Sequence, residues 1–258
     1  MTPVTRCCSR PAVLTDTAMD SPPAPPSVAQ FQLLAWCSPA YPTGAFSYSH
    51  GMEWAVERGT VTAPAQLLDF IGAVLERGGG WVDAVLFAHA GRAAGQPPVI
   101  WEHRARAQLR ELAELAGAFR ATSETALESR QQGGAFLDVT LKAWPHPRLA
   151  QFAADLRGRP IAQSVAVAVA CAAHGIELST ALQAFVQVIA ANLVSAGARL
   201  IPLGQTDAQI AIARLAPLVA ATAERALTAA LDDLGTATPA LELCSMHHET
   251  QYTRLFRS

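Results

Sequence analysis

The sequence predicts an all-α protein, an irregular bundle of about ten helices. Three observations lead there. Apolar residues recur at helical spacing in segment after segment, as in Leu67, Leu68, Ile71, Val74 and Leu75. The segments are punctuated by helix start and stop residues, and no alternating run finds a partner that would make a strand pair. Hydrophobic residues make up 51% of the 258-residue chain and charged residues 16%, a composition that fills a core.

Residues 1–27 read as a disordered, Pro-rich leader. Arg6 and Arg10 have no apolar run behind them, so a signal peptide is not expected. Residues 28–235 read as one helical domain, and 236–258 as a flexible C-terminal tail. The domain opens with a helix carrying Phe31, Leu34 and Ala35, stopped by Ser38-Pro39. The densest stretch follows, Ser38 to Trp54. Pro39 and Pro42 fix φ there, and Gly44 suits a tight turn. Ser47 or Ser49 is placed to cap a helix through Trp54.

Thr62 and Pro64 start the next helix, which Gly78-Gly79-Gly80 ends. Trp81, Val85 and Ala88 begin another, running toward Gly95. After Pro97-Pro98 a longer helix pairs Glu102 with Arg106 and Arg110 with Glu114 at i, i+4. Thr122 or Ser123 opens a segment in which Gly133-Gly134 suggests a break or a close contact. Trp144-Pro145-His146-Pro147 is a connector, and Ile161–Ala173 a tightly packed helix. Thr180 with Gln183, and Thr206 with Gln209, form capping boxes for two more helices, the second reaching toward Leu234.

Several function classes are excluded or weakened. The formal net charge of -2 leaves no electrostatic footprint for nucleic acid. Five cysteines with no Cys-x-x-Cys fit a reducing cytoplasm. The apolar run Ala181–Leu203 carries Gln183, Gln187, Asn192 and Arg199, so a buried bundle helix suits it better than a membrane span. The chain's one lysine, Lys142, lies in no phosphate-binding loop, and neither His-Glu-x-x-His nor Gly-x-Ser-x-Gly occurs.

Two clusters merit weighing as chemistry. His50, Glu53 and Glu57 could share a helical face as an acid–base group or a weak metal site, but they lack orienting partners and read better as a solvated or partner-facing edge. Cys244, His247 and His248 are the best metal ligands by type, yet three ligands on a flexible tail make a poor closed site. The remaining tail is rich in residue types favoured at interfaces. If helical, it would put His248, Tyr252, Leu255 and Phe256 on one side. Docking on its own bundle and ordering on a partner fit these residues equally.

The stretch Ser38–Glu53 resembles the N-terminal signature of the urease accessory protein family UreF. Ala198-Arg199-Leu200-Ile201-Pro202-Leu203-Gly204-Gln205-Thr206 resembles its later motif, and His248–Ser258 its C-terminus. The three occur in family order, over residues 28–258. Tyr41, Thr43 and Met52 depart mildly from the pattern, and His247 stands where related tails often carry Arg.

The resemblance implies a non-enzymatic, dimer-forming, cytoplasmic protein. It would bridge a UreD/UreH-type protein and the GTPase UreG on apo-urease. Nickel would be handled by that complex, with no cofactor held stably by this chain and no membrane or nucleic-acid partner. It also implies a partner-binding tail comprising Glu249, Gln251, Tyr252, Arg254, Leu255, Phe256 and Arg257. Phe46, Tyr48, Glu53 and Arg199 are further surface candidates. The rival reading is a helical metalloenzyme or metal carrier using Cys244, His247 and His248.

Overall fold

The structure is a computed structural model and describes residues 26–258. The expectation of a disordered leader falls almost entirely outside these residues. The described residues are helical, with no strand among them. In order they form α1 (Pro26–Trp36), α2 (Met52–Glu57), α3 (Pro64–Arg77), α4 (Gly79–Ala94), the single turn α5 (Pro98–Ile100) and α6 (Arg106–Ala118). Then come α7 (Ser123–Ala143), α8 (Pro147–Leu156), α9 (Gln163–Ala173), α10 (Leu178–Leu200), α11 (Gln205–Thr228) and α12 (Pro239–His248).

The core is built around α4, whose Val82, Val85, Leu86 and Phe87 are wholly buried. An apolar helix of this kind has no solvated face and must be wrapped by others. Helices α3, α6, α9, α10 and α11 surround it. Phe87 stacks on Phe185 of α10 at 4.9 Å between ring centroids. Helix α10 is long and apolar enough to cross a membrane, but half of its apolar window is buried within this bundle. Helix α7 lies along α9 without a break. Gly133 makes the close contact possible, because a Cβ there would lie 2.7 Å from the Gln163 nitrogen.

Local signals shifted in several places. The cap of α2 is Gly51, not a serine, although the Ser49 hydroxyl still accepts the Glu53 N–H at 3.4 Å. Ala63 precedes α3, with Pro64 in its first turn. Glu177, rather than Thr180, caps α10, where its carboxylate accepts N–H groups of Ser179 and Thr180 at 2.8 and 2.7 Å. Helix α11 starts at Gln205 behind Gly204, one residue ahead of the expected Thr206 box, and ends at Thr228. The helix expected after Pro98 contains one widened turn, Trp101–Ala105. It buries Trp101, whose Nε1 donates to Gln151 Oε1 at 2.9 Å. Glu102 pairs with Arg106 as expected, but Glu114 pairs with Arg159 instead of Arg110. The stretch after the Gly235 loop holds a helix, α12, where a polar tail was expected.

Candidate functional site

The aromatic corner between α1 and α2 and the end of the chain meet. In the corner, Gly44 takes φ 76° and opens a tight helical turn over Ala45–Ser47. Tyr41 hydroxyl bonds Thr140 Oγ1 of α7 at 2.8 Å. Tyr48 is buried, with its hydroxyl donating to Gln131 Oε1. His50 and Gly51 both hold positive φ, 57° and 77°. Gly51 is needed for more than its φ. A Cβ there would sit 2.5 Å from the Ser245 nitrogen, so its absence lets α12 close on the corner. Ser245 Oγ then bonds Thr122 Oγ1, the cap of α7, at 2.7 Å.

From α12 the chain folds back across α2 and α7. His248 is fully buried between two carboxylates, with Nδ1 2.8 Å from Glu124 Oε2 and Nε2 3.1 Å from Glu53 Oε2. Both contacts are hydrogen bonds only if each carries a proton, since a carboxylate and an unprotonated ring nitrogen are both acceptors. Arg254 reaches the other Glu124 oxygen at 2.9 Å. Burial pushes the Glu124 carboxyl up despite the His248 and Arg254 charges.

Glu53 also accepts the main-chain N–H of Leu255 at 2.6 Å and of Phe256 at 2.8 Å. The Arg257 N–H donates to the Ser47 carbonyl at 2.8 Å, and the Ser49 N–H to the Ser258 oxygen at 2.8 Å. Ser258 Oγ donates to Glu128 Oε2 at 2.9 Å. Arg199 of α10 completes the clasp. Its guanidinium donates to the Phe46 carbonyl at 2.7 Å and lies 4.3 Å from the centroid of the buried Phe256 ring.

The tail candidates thus divide. Gln251, Phe256 and the main chains of Leu255 and Arg257 hold the clasp, as does Arg254. Tyr252 is fully exposed, the Leu255 side chain is 64% exposed and Phe46 69%. Glu249 lies at the rim and accepts from the Ser123 hydroxyl at 2.6 Å. Tyr48 and Glu53, expected as surface residues, are internal because the clasp covers them.

His50, Glu53 and Glu57 do not converge. Glu53 serves the tail, Glu57 accepts from the Gln251 amide, and His50 Nδ1 lies 3.3 Å from Glu128 Oε2 without hydrogen-bond geometry. Cys244, His247 and His248 also separate. His247 stacks on Trp54 at 5.2 Å, His248 spends both nitrogens on carboxylates, and burial pushes the Cys244 thiol up. Among the described residues no group of three His, Cys, Asp or Glu side chains is placed to hold a metal ion.

Glu124, Glu128 and Ser258 were not singled out from the sequence, and Ser49 only as a helix cap. The signal was present: Glu124 and Glu128 fall at i, i+4 with Gln132, one polar stripe of α7 turned inward. Behind Glu128 a cavity of about 90 Å³ reaches His50 and the Asp83–Arg120 pair, held at 2.6 and 2.9 Å.

Fold and site together define an all-α protein whose last residues are clasped onto an aromatic corner, leaving the side chains of Phe46, Tyr252 and Leu255 in solvent. A family model described as UreF matches residues 61–216. The chain is 51% identical over 236 residues to the urease accessory protein UreF of Rhodopseudomonas palustris strain TIE-1, covering 92% of this chain and 95% of that one. It is 47% identical over 232 residues to UreF of Bradyrhizobium diazoefficiens, with 90% and 93% covered. For UreF of Granulibacter bethesdensis the identity is 48% over 230 residues, with 89% and 94% covered. The chain belongs to the UreF family of urease accessory proteins.

Proposed function

We propose that this chain is a non-enzymatic scaffold of urease maturation, working in the cytoplasm as a homodimer. It bridges a UreD/UreH-type protein and the GTPase UreG so that nickel, the cargo of the assembly, reaches apo-urease. The observation that carries the reading is the exposure of Phe46, Tyr252 and Leu255 around a backbone that Glu53, Glu124 and Arg199 hold rigid. Apolar side chains on a fixed backbone bind without the ordering cost of a loose tail. We assign this composite patch to the UreD/UreH-type partner. Holding two partners on one body raises their effective concentration, and preference for one nucleotide state of UreG would bias it by differential affinity.

The test is deletion of the gene in a urease-producing host. Urease protein should accumulate at normal level with little nickel, and the wild-type gene should restore it. Normal nickel content in the deletion strain contradicts the reading. Equilibrium dialysis of the isolated chain against nickel separates it from the metal-carrier alternative. Tight stoichiometric binding lost on replacing Cys244, His247 and His248 would favour that alternative.

A further inference from the structure

We infer that a second docking surface lies in the groove between α6, α7 and the end of α8, and that it takes an acidic segment of the GTPase partner. The inference rests on the bridging role proposed above, because a bridge needs a surface apart from the corner–tail patch.

The groove holds about 280 Å³ and is lined by Arg110, Arg130 and Arg159 together with the buried Leu156 and the exposed Pro160. Its two carboxylates are already engaged. Asp155 accepts two bonds of 2.7 Å from Arg106, and Glu114 pairs with Arg159. Arg130 spends only its Nε, on the Ala126 carbonyl at 3.0 Å. Arg110 is hydrogen-bonded to nothing among the described residues and feels Asp155 only through space. Three guanidiniums therefore line the groove against two carboxylates, a local excess of one positive charge on a chain whose formal net charge is -2, while Arg106 beside it is shared between Asp155 and Glu102. Both Arg110 and Arg130 are exposed.

That combination selects an occupant. Two guanidiniums with unused donors match two carboxylates bidentately, and the apolar lining residues Leu156 and Pro160 suit a side chain between them. Nucleic acid fits poorly, since two fixed carboxylates in so small a groove repel successive phosphates. The position is also independent of the clasp. On α7 the clasp residues Glu124 and Glu128 are buried, whereas Arg130 points to solvent.

The test uses the full chain with the double variant Arg110→Glu/Arg130→Glu and the milder Arg110→Gln/Arg130→Gln. Thermal melts followed by circular dichroism establish that both fold. Calorimetry then measures binding to purified UreG and, separately, to the UreD/UreH-type protein, from about 0.05 to about 0.5 M salt. The charge reversal should weaken UreG binding by about tenfold or more at low salt and flatten its salt dependence. The Gln pair should fall between it and wild type, with UreD/UreH binding unchanged within about twofold. UreG affinity unchanged by the reversal, or an equal loss of both partners, overturns the assignment. A wild-type chain that binds UreG at no salt concentration overturns the bridging role as well.

Discussion

The carboxylate of Glu53 on α2 accepts the main-chain N–H of Phe256 at 2.8 Å, across 203 residues of sequence. Its other oxygen takes the N–H of Leu255, and the first is shared with His248. One buried side chain thus fixes the path of the chain end. Glu53→Ala leaves two N–H groups and an imidazole nitrogen without partners. Each would cost about 1–3 kcal/mol if it stayed buried. The tail should undock instead. Hydrogen exchange at Leu255 and Phe256 should accelerate by at least about tenfold, with amides of α9 and α10 unchanged. Unaltered protection at those two amides would show that Glu53 does not hold the tail.

Glu128 gives a pH dependence with a definite sign. Burial pushes its carboxyl up, although His50, Ser258 and Arg120 pull it down. The folded state therefore binds a proton more tightly than the unfolded one. This group's contribution is fully present below the ordinary carboxylate range and is lost as pH rises through its raised value. Glu128→Gln removes that loss. Urea midpoints compared across pH should show the variant gaining on wild type as pH rises from acid to neutral; a constant difference would contradict it.

Glu177 behaves oppositely. Burial raises its carboxyl, but hydrogen bonds from Ser179 and Thr180 outweigh this and hold it at about 2. Its contribution is present above the ordinary carboxylate range and lost as pH falls toward about 2. The site is exposed, so Glu177→Ala should cost only about 1 kcal/mol at neutral pH. Chemical denaturation at neutral pH and near pH 3 should show the difference shrinking in acid.

Gly51→Ala tests the approach of α12. The new methyl would meet the Ser245 nitrogen and Cα at 2.5 and 2.7 Å, on a backbone with positive φ. Neither is a flexible side chain that can move aside. Helix α12 should shift off the corner, which cleavage by limited proteolysis after Arg254 or Arg257 would report. A cleavage pattern identical to wild type would mean that the contact is not tight in solution.

Much of the helical fold is legible in the sequence because apolar stripes such as Leu67–Leu75 and breakers such as Gly204 act locally. The corner is legible for the same reason: Gly44 takes the positive φ its turn requires. Caps were less secure. Glu177 took the place of Thr180 because the helix starts earlier, at Leu178, where the Glu177 carboxylate accepts the N–H groups of Ser179 and Thr180. The clasp was hidden because its bonds join residues about two hundred positions apart, and no local pattern pairs Glu53 with Phe256 or Ser49 with Ser258. The same distance explains why Tyr48 and Glu53 read as surface residues. Their cover arrives from the other end of the chain. Helix α12 was missed because its polar sequence lacks a clear stripe, and only docking on α2 and α7 stabilises it.

The central claim is that corner and tail form one partner-binding patch. Calorimetry of the UreD/UreH-type protein against the full chain carrying Phe46→Ala, Tyr252→Ala and Leu255→Ala tests it most directly. These side chains are exposed, so the fold should be kept while binding weakens by about a hundredfold or more. A triple variant that folds and binds within about threefold of wild type would contradict the account.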